Sequence, residues 1–516
     1  MGLYKNELAL LTQGDFSSAR ASLLESIKLD GIVAPRAIEK IVEYFIGQRK
    51  FVDANAILDE ALSILPRNPA LLWLRAFCLA QSGNIEDAIT YATKCLAISP
   101  DDSMVALNRA CWKARATTDA LETKRVFEEW AGKFIDNLAE SVPPLDVTSY
   151  QDDGKLKIGY VSGDFKNHSI RYFIEPFLRF HSRDSFDVHA FMTMAEDTIS
   201  SILKPLADTW HNVADMSDRD LLDYIRREKI HILVDLSGHT DGSRLEVFGM
   251  RAAPVQVTWF GFMQTLGMKA IDYRLTDFSI TPPGSDDMYT EKLHRLQCMV
   301  SYMPPVNADE LHRMPCLDNG HVTMVSLNDP RKINDDVLGA WKAILDSNPE
   351  AGLIIISNEK EKDTANEQFL PKLTAHEFDT SRVLVHPRLS MLDFLNISSV
   401  ADFALDTFPV SGGTVTLHSL WIGLPSVTLG GAGQTGMNNS AASTLTGVGL
   451  GECVAGSIED YVALAQEWIE TPSIIADMRQ KCRPALQASP LMDYGSRIAE
   501  VENAYHSMWT ETRRGL

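Results

Sequence analysis

The sequence lacks the features of disulfide-stabilised, zinc-binding and membrane-spanning proteins. Its seven cysteines are odd in number, widely scattered and never spaced as Cys-x-x-Cys, so neither a disulfide framework nor a zinc site fits. No stretch approaches the roughly 20 apolar residues that a transmembrane helix needs. The N-terminal MGLYKNELALL matches neither a secretory signal nor a myristoylation pattern. We therefore expect a reducing, cytoplasmic compartment.

Positive charge is also scarce. The chain has 48 Lys and Arg residues against 69 Asp and Glu residues, a net charge of −21. Such a chain repels a nucleic-acid backbone or an anionic membrane surface, which excludes a nucleic-acid reader and a membrane partner. The acidic excess identifies no partner by itself, because a charged, solvated surface also keeps a protein soluble.

The first 135 residues are predicted to be helical and repetitive. Three residues recur at an offset of 34 positions: Ala54, Leu62 and Pro66 return as Ala88, Leu96 and Pro100. This period resembles that of tetratricopeptide repeats, and about three repeats fit into residues 1–135. Stacked repeats offer an extended surface to a peptide or partner protein. An ordinary helical bundle is the alternative.

After a polar, proline-containing linker over 136–154, the pattern changes to short apolar runs that alternate with helical segments. Continuous hydrophobicity in such runs indicates strands buried on both faces of a parallel sheet. The predicted strands are 157–162, 186–192, 230–238, 255–261 and 273–277, then 321–327, 352–357, 382–387, 401–406, 425–431 and 452–456. We predict an α + α/β protein: helical repeats followed by two Rossmann-like units, 155–310 and 311–516, with a ligand cleft at the carboxyl ends of the strands.

A glycine-rich turn in DTFPVSGGTVTLHSLWIGLP is the strongest chemical signal. Gly412 and Gly413 follow a predicted strand and precede a predicted helix. The unpaired N–H groups and the positive end of such a helix suit a diphosphate. Thr414 and Thr416 offer further hydroxyl donors. Taken alone, such a turn is as often a plain connection between a strand and a helix.

Two further side chains are predicted near this turn, Lys332 at the same sheet edge and His168 on the opposing wall of the cleft. Lys332 follows the first strand of the second unit, where a lysine can neutralise the charge that develops on a departing diphosphate. His168 follows the first strand of the first unit, where a histidine can orient or deprotonate an acceptor hydroxyl. His239 begins a loop at another strand end, whereas His231 is predicted to be structural. No Asp-x-Asp motif stands at a suitable strand end, so we expect catalysis without a divalent metal or a cofactor.

From about Lys155 to Trp509 the chain resembles the family of the O-GlcNAc transferases and the SPINDLY-type protein O-fucosyltransferases. The matching segments are KIGYVSGDFKNHS, HILVDLSGHT, RAAPVQVTWFGFMQTLG, LNDPRKI, ADFALDTFPVSGGTVTLHSLWIGLPSVT, AASTLTGVGLGECVA and SPLMDYGSRIAEVENAYHSMW. The resemblance implies a GT-B fold of two Rossmann-like halves. It also implies inverting, metal-independent transfer of a sugar from a nucleotide-sugar, UDP-GlcNAc above all, to Ser or Thr of a protein recognised through the repeats.

The resemblance also implies roles for individual residues. His168 lies beside the reacting centre and Lys332 contacts the diphosphate. The residues expected to bind the donor are Asn328, Lys332, Gly412, Gly413, Thr414, Val415, Thr416, His418 and Asn439. The residues expected on the acceptor side are His239, Gly261 and Phe262. Exposed repeat edges allow a homodimer but do not require one.

Three departures from the family pattern bear on the donor and the acceptor. His418 stands where relatives carry an acidic residue that holds the ribose, and a histidine cannot accept hydrogen bonds from both ribose hydroxyls. Asn439 is Arg in animal O-GlcNAc transferases but Asn in the SPINDLY type. Phe262 and Met263 replace the Tyr-Pro of a Gly-Tyr-Pro loop. The alternatives are therefore another donor, such as GDP-fucose or a CMP-linked nonulosonic acid, another acceptor, or a degenerate binding module.

Overall fold

The computed structural model describes residues 5–30, 35–48, 50–150, 154–305, 313–431 and 436–514. The described part of the N-terminal region is helical, as predicted. Its helices are α1 Lys5–Thr12, α2 Phe16–Asp30, α3 Pro35–Gly47, α4 Phe51–Ile64, α5 Pro69–Gln81, α6 Ile85–Leu96, α7 Ser103–Ala116 and α8 Ala120–Phe134. From α3 onward each helix packs against the next. Ala54 and Ala88 are fully buried between neighbouring helices, where only a small side chain lets the backbones approach so closely.

Local sequence explains where these helices begin. Asn68 accepts a hydrogen bond from the backbone N–H of Leu71, and Pro69 occupies the first helical position of α5. Asp102 and Asp119 cap α7 and α8 in the same way. These caps satisfy N–H groups that have no partner inside the helix. Among the described helices, none combines the length and apolarity that spanning a bilayer requires.

The first α/β unit is built on a seven-stranded parallel sheet in the order β3-β2-β1-β4-β5-β6-β7. Its strands are β1 Leu156–Ser162, β2 Phe186–Met192, β3 Thr209–Asn212, β4 Ile232–Asp235, β5 Val255–Thr258, β6 Tyr273–Asp277 and β7 Lys292–Leu296. Its helices are α9 Arg171–Phe180, α10 Thr198–Leu203, α11 Asp218–Glu228 and α12 Leu245–Gly249. The inner strands are buried on both faces, as parallel sheets covered by helices require.

The second unit has a six-stranded parallel sheet in the order β10-β9-β8-β11-β12-β13. Its strands are β8 Thr323–Ser326, β9 Gly352–Ile356, β10 Val383–His386, β11 Phe403–Leu405, β12 Ser426–Leu429 and β13 Val454–Ala455. Its helices are α13 Cys316–Asn319, α14 Asp335–Ser347, α15 Lys362–Ala375, α16 Met391–Leu395, α17 Thr414–Trp421, α18 Ser440–Gly447, α19 Ile458–Glu470 and α20 Pro472–Ala488. The predicted class, helical repeats followed by two Rossmann-like units, is confirmed.

All eleven predicted strands overlap observed ones, and the two strands that the prediction missed lie at the edges of the first sheet. These are β3, with the sequence TWHN, and β7, with the sequence KLHRL. Both are partly exposed, so they carry polar side chains in place of a continuous apolar run. The hydrophobicity pattern could not reveal them because an edge strand has only one strand neighbour and is less buried.

The last helix, α21 Tyr494–Arg514, returns to the first unit. The prediction placed it in the second unit because of its position in the chain. In the structure it packs on α9, β5 and β7. The hydroxyl groups of Tyr505 and Tyr160 lie 3.2 Å apart, and Tyr273 donates a hydrogen bond to Glu511 at 2.9 Å. The helix thus ties the end of the chain to the first sheet.

The repeats are joined closely to the first unit through α8. The ring of Phe127 stacks on His239 with centroids 4.5 Å apart. Gly267 has a left-handed φ of +71°, and a Cβ there would lie 2.4 Å from the carbonyl carbon of Phe127 and 2.5 Å from the amide nitrogen of Glu128. Two stretches of backbone therefore meet at a point that only glycine allows.

Replacing Gly267 by Ala tests this junction. We expect Gly267→Ala to lower the free energy of unfolding by about 2 kcal/mol, because the added Cβ meets backbone that cannot rotate away. The matched control is Gly132→Ala on the exposed side of α8, where no atom lies within 4 Å. Urea unfolding should show a loss for the first variant and none for the second. Equal midpoints for the two variants would contradict the proposed junction.

Candidate active site

A buried polar network joins the carboxyl ends of β8 and β11. Asn328 donates a hydrogen bond to the Oδ1 of Asp406 at 2.8 Å, and the backbone N–H of Gly412 donates to the same oxygen at 2.8 Å. Lys332 donates from Nζ to the Oδ1 of Asn328 at 3.3 Å and to the carbonyl of Ser411 at 2.7 Å. The network holds a lysine cation directly against the glycine turn.

The two charged members of this network depend on each other. Burial lowers the pKa of Lys332, whereas the nearby carboxylate of Asp406 raises it. Burial raises the pKa of Asp406, while the hydroxyl of Thr428 and the charge of Lys332 oppose that rise. Each charge therefore opposes part of the pKa shift that desolvation imposes on the other.

The glycine turn leads directly into α17. Gly413 occupies the N-cap position and supplies no side chain to cap the helix, so the first N–H groups of α17 stay available to an anion. A Cβ on Gly412 would lie 2.6 Å from the Oγ1 of Thr416 and 3.1 Å from Asp406. The turn can therefore keep this shape only with glycine at 412. Val415 is half-buried, and Thr416 is packed behind Gly412.

A cavity of about 220 Å³ lies between the two units and is lined by both. The first unit contributes His168, Gly261 and Met263, and the second unit contributes Gly413 and Thr414. The rest of the wall is mostly apolar and includes Phe173, Phe260, Ile280, Met299 and Leu417. The structure thus brings the predicted histidine and the predicted turn to one cleft, with a few polar groups set in apolar walls, as is typical of small-molecule sites.

His168 is partly exposed at this cleft and faces a carboxylate. Its Nδ1 lies 3.5 Å from the Oδ2 of Asp164, and 44% of its side chain is exposed. Desolvation lowers the pKa of His168, and the carboxylate of Asp164 opposes that shift. The imidazole is therefore neutral at neutral pH, the state in which it can accept a proton.

Of the three predicted acceptor-side residues, Gly261 lines the cavity. A Cβ at Gly261 would lie 1.8 Å from the carbonyl oxygen of Leu236, so no other residue fits there. Phe262 turns away and meets Phe127 of α8 edge-on. Arg274, which is 2% exposed, donates hydrogen bonds to the backbone carbonyls of Phe262 and Gln264 and fixes the loop. No pattern in the sequence indicated this role of Arg274.

The structure places His239 in the junction with the repeats, outside the residues that line the cavity. Its ring stacks on Phe127 and meets Trp130 edge-on, and its Nε2 donates a hydrogen bond to the carbonyl of Leu266 at 3.0 Å. Burial lowers its pKa to about 3. His231, predicted to be structural, is also buried and packs edge-on against Trp509.

His418 and Asn439 both lie near the cavity without lining it. His418 is 5% exposed, its Nδ1 forms a 2.6 Å hydrogen bond with the hydroxyl of Tyr302, and the ring of Tyr172 meets it edge-on. Burial lowers the pKa of His418 to about 4. Asn439 donates a hydrogen bond to the carbonyl of Ser279 at 2.7 Å and so links the two units.

Sequence reasoning missed a set of aspartates that end apolar strands. Asp235 and Asp406 follow the apolar runs ILV and FAL, and Asp277 follows the buried but mixed run YRLT. Asp235 accepts a hydrogen bond from the N–H of Gly238 at 2.9 Å, and Asp277 accepts one from Ile280 at 2.7 Å. Each carboxylate thus fixes the loop that leaves the carboxyl end of its strand. The signal was readable, since an aspartate that closes an apolar run must be buried and paired.

Comparison with known proteins agrees with the observed fold. The chain matches the family model of glycosyl transferase family 41 over residues 141–303 and 310–501. It also matches the model of a tetratricopeptide repeat over residues 45–110. It is similar to an Oryza sativa subsp. japonica protein named probable UDP-N-acetylglucosamine–peptide N-acetylglucosaminyltransferase SPINDLY, with 31% identity over 81% of this chain and 45% of that protein. The Arabidopsis thaliana protein of the same name is 33% identical over 70% of this chain and 40% of its own length.

A solved structure is similar over nearly the whole chain. It is a lysine-to-methionine variant of the Thermobaculum terrenum O-GlcNAc transferase, with a TM-score of 0.85 and 29% identity over 99% of this chain and 98% of that one. The chain spans less than half the length of the two plant relatives that it matches. The likeness to those plant proteins therefore covers only a part of each.

The glycine turn can be tested directly. We expect Gly412→Ala to weaken binding of a nucleoside diphosphate at least tenfold, because the new Cβ displaces Thr416 and the carboxylate of Asp406. The control is Gly339→Ala in α14, where no atom lies within 4 Å. Isothermal titration of both variants measures the effect. Unchanged affinity in Gly412→Ala, with the fold intact by circular dichroism, would remove the turn from the site.

The burial of His239 predicts a pH dependence of stability. Its pKa is about 3 in the folded chain and about 6.5 in an unfolded chain. Below pH ~6.5 only the unfolded state takes up the proton, so this contribution to stability falls as the pH drops towards ~3. His239→Gln, which keeps a donor for Leu266, should lose less stability between pH 7.5 and 4.5 than the wild type in urea unfolding. Exposed His321→Gln is the control. Equal losses in all three proteins would contradict the assignment.

Proposed function

The chain belongs to glycosyl transferase family 41, and on that premise we propose that it transfers a sugar from a nucleotide-sugar to a protein. The sugar is N-acetylglucosamine carried on UDP, and the acceptor atom is a Ser or Thr hydroxyl oxygen. The transfer inverts the configuration of the sugar and uses no metal ion. The names of the plant relatives and of the Thermobaculum terrenum enzyme support the donor and the protein acceptor.

The observation that carries this proposal is the half-buried lysine cation at the glycine turn. Lys332 lies against Ser411, next to the free N–H groups at the start of α17. A lysine and a helix N-terminus at this point stabilise the negative charge of a departing nucleoside diphosphate. In this proposal the protein itself supplies the positive charge that a divalent ion would otherwise provide.

The opposite wall supplies the acceptor chemistry. The neutral imidazole of His168 accepts a hydrogen bond from the acceptor hydroxyl, and Asp164 orients the ring. The hydroxyl oxygen forms a bond to the anomeric carbon of the sugar while the bond from that carbon to the diphosphate oxygen breaks. The hydroxyl proton passes to His168, and the diphosphate leaves on the side of Lys332. Attack and departure on opposite faces invert the configuration.

The repeats provide the route by which a polypeptide reaches this cleft. Tetratricopeptide repeats typically bind peptides or proteins. In this chain they are packed against the first unit through Phe127 and Gly267. We propose that a segment of the acceptor protein is held along the repeats while its Ser or Thr enters the cavity beside His168.

One observation favours a second candidate, the same transfer from another nucleotide. His418 is neutral and hydrogen-bonded to Tyr302, so it cannot accept hydrogen bonds from both ribose hydroxyls as a carboxylate does. A chain with this histidine could use GDP-fucose or a CMP-linked sugar acid as donor.

A binding and turnover experiment separates these proposals. UDP, GDP, CMP and their sugars are titrated calorimetrically into the protein with and without EDTA, and transfer is measured for wild type and Lys332→Ala. We expect UDP binding that survives EDTA, and a loss of turnover of about 10²-fold or more in the variant. Lys362→Ala, at an exposed lysine of the same unit, is the control. Preferred binding of GDP or CMP would establish the second candidate, and binding of none would refute both.

A further inference from the structure

The repeats carry a concave surface of their own. It shares no lining residue with the active-site cavity. It is a groove of about 380 Å³ between α6 and α8, with α7 as its floor. Helix α6 is the second helix of one helical hairpin, and α7 and α8 are the two helices of the next hairpin. We call this surface the repeat groove, and its apolar lining includes Leu96, Ala97, Ala106, Ala110, Val126 and Trp130.

The floor of the repeat groove is low because its central residues are small. Ala106 and Ala110 are four residues apart on α7 and so lie on the same face of that helix. Trp130 and Val126 of α8 form one wall, and Leu96 of α6 forms the other. Ala97 is exposed at the rim. A side chain of leucine or phenylalanine size can therefore enter between the two walls.

Positive charge surrounds this apolar floor. Arg109 and Lys113 of α7 line the groove four residues apart, and within the described part of the chain neither has a carboxylate at ion-pair distance. Like charges at this spacing repel each other and destabilise a helix. Lys133, the third cation of the lining, pairs at 3.0 Å with Asp101. The Asp101 side chain is 88% exposed, so this ion pair contributes little to stability.

Two carboxylates of α8 have their partner within that helix. Glu129 is the one carboxylate among the described lining residues, and its partner is Arg125 at 2.9 Å. Arg125 also pairs with Glu122 at 2.8 Å. The repeat groove thus keeps two unpaired cations in a chain of net charge −21. A basic, apolar groove on an acidic protein is complementary to a segment with the opposite charge.

We propose that the repeat groove binds an acidic docking segment of the acceptor protein. An apolar side chain of that segment lies over Ala106 and Ala110, and neighbouring Asp or Glu side chains pair with Arg109, Lys113 and Lys133. That the bound chain is an acceptor rests on the function proposed above. The binding itself does not depend on sugar transfer, and it selects acceptors by a sequence that lies away from the modified Ser or Thr.

Binding is tested on the full chain with synthetic fluorescent 15-residue peptides. One peptide carries two leucines flanked by glutamates, a second replaces the glutamates by lysines, and a third replaces the leucines by serines. We expect the first to bind and to lose affinity at high salt, and the other two to bind at least tenfold more weakly. Arg109→Glu with Lys113→Glu should weaken binding of the first peptide at least tenfold. Arg67→Glu, at an exposed arginine outside the groove, should not.

A second variant keeps the test independent of charge. Ala97→Trp fills the rim of the groove and should also weaken binding without unfolding the chain, as checked by thermal melting.

In transfer assays, a docking segment fused to a short Ser-containing peptide should lower KM and leave kcat unchanged. The Arg109→Glu, Lys113→Glu variant should abolish only that gain. Tight binding of the lysine peptide, or normal binding by both variants, would overturn the docking proposal. Absence of transfer to every peptide would count against the enzymatic proposal alone.

Discussion

The buried carboxylate of Asp406 is the group on which both the glycine turn and Lys332 depend. Burial raises the pKa of Asp406 and lowers that of Lys332, and the charge of each opposes the shift of the other. The same carboxylate binds Asn328 and the N–H of Gly412, so it sets both the position of the lysine and the shape of the turn. Loss of the carboxylate would leave Lys332 without a nearby counter-charge and the turn without its anchor.

A second constraint joins the repeats to the acceptor wall. Phe127 and Trp130 of α8 enclose His239, while Gly267 meets the backbone of the same helix. The loop from Gly261 to Gly267 therefore lies between the repeats and the cavity, and Arg274 holds it from behind. The N-terminal helices therefore pack directly against the loop that lines the cavity at Gly261.

Much of the architecture could be read from periodicity. The inner strands appeared as continuous apolar runs because both of their faces are buried, whereas the edge strands β3 and β7 did not because part of their surface is exposed. The spacing of 34 residues in the repeats was visible because Ala54 and Ala88 occupy the same close helix contact. The return of α21 to the first sheet could not be predicted, since an amphipathic helix does not specify which sheet it covers.

The sequence by itself determined the fold class, the glycine turn and the placement of His168 and Lys332 after the first strand of each α/β unit. These follow from local rules, because the carboxyl ends of parallel strands meet at one edge of a sheet. Tertiary structure alone decided the roles of His239 and His418, which look like site residues in their motifs. Aromatic rings from distant segments, Phe127 for one and Tyr302 for the other, enclose the two imidazoles and lower their pKa values. Such burial depends on contacts between residues that are more than a hundred positions apart, and no local pattern encodes it.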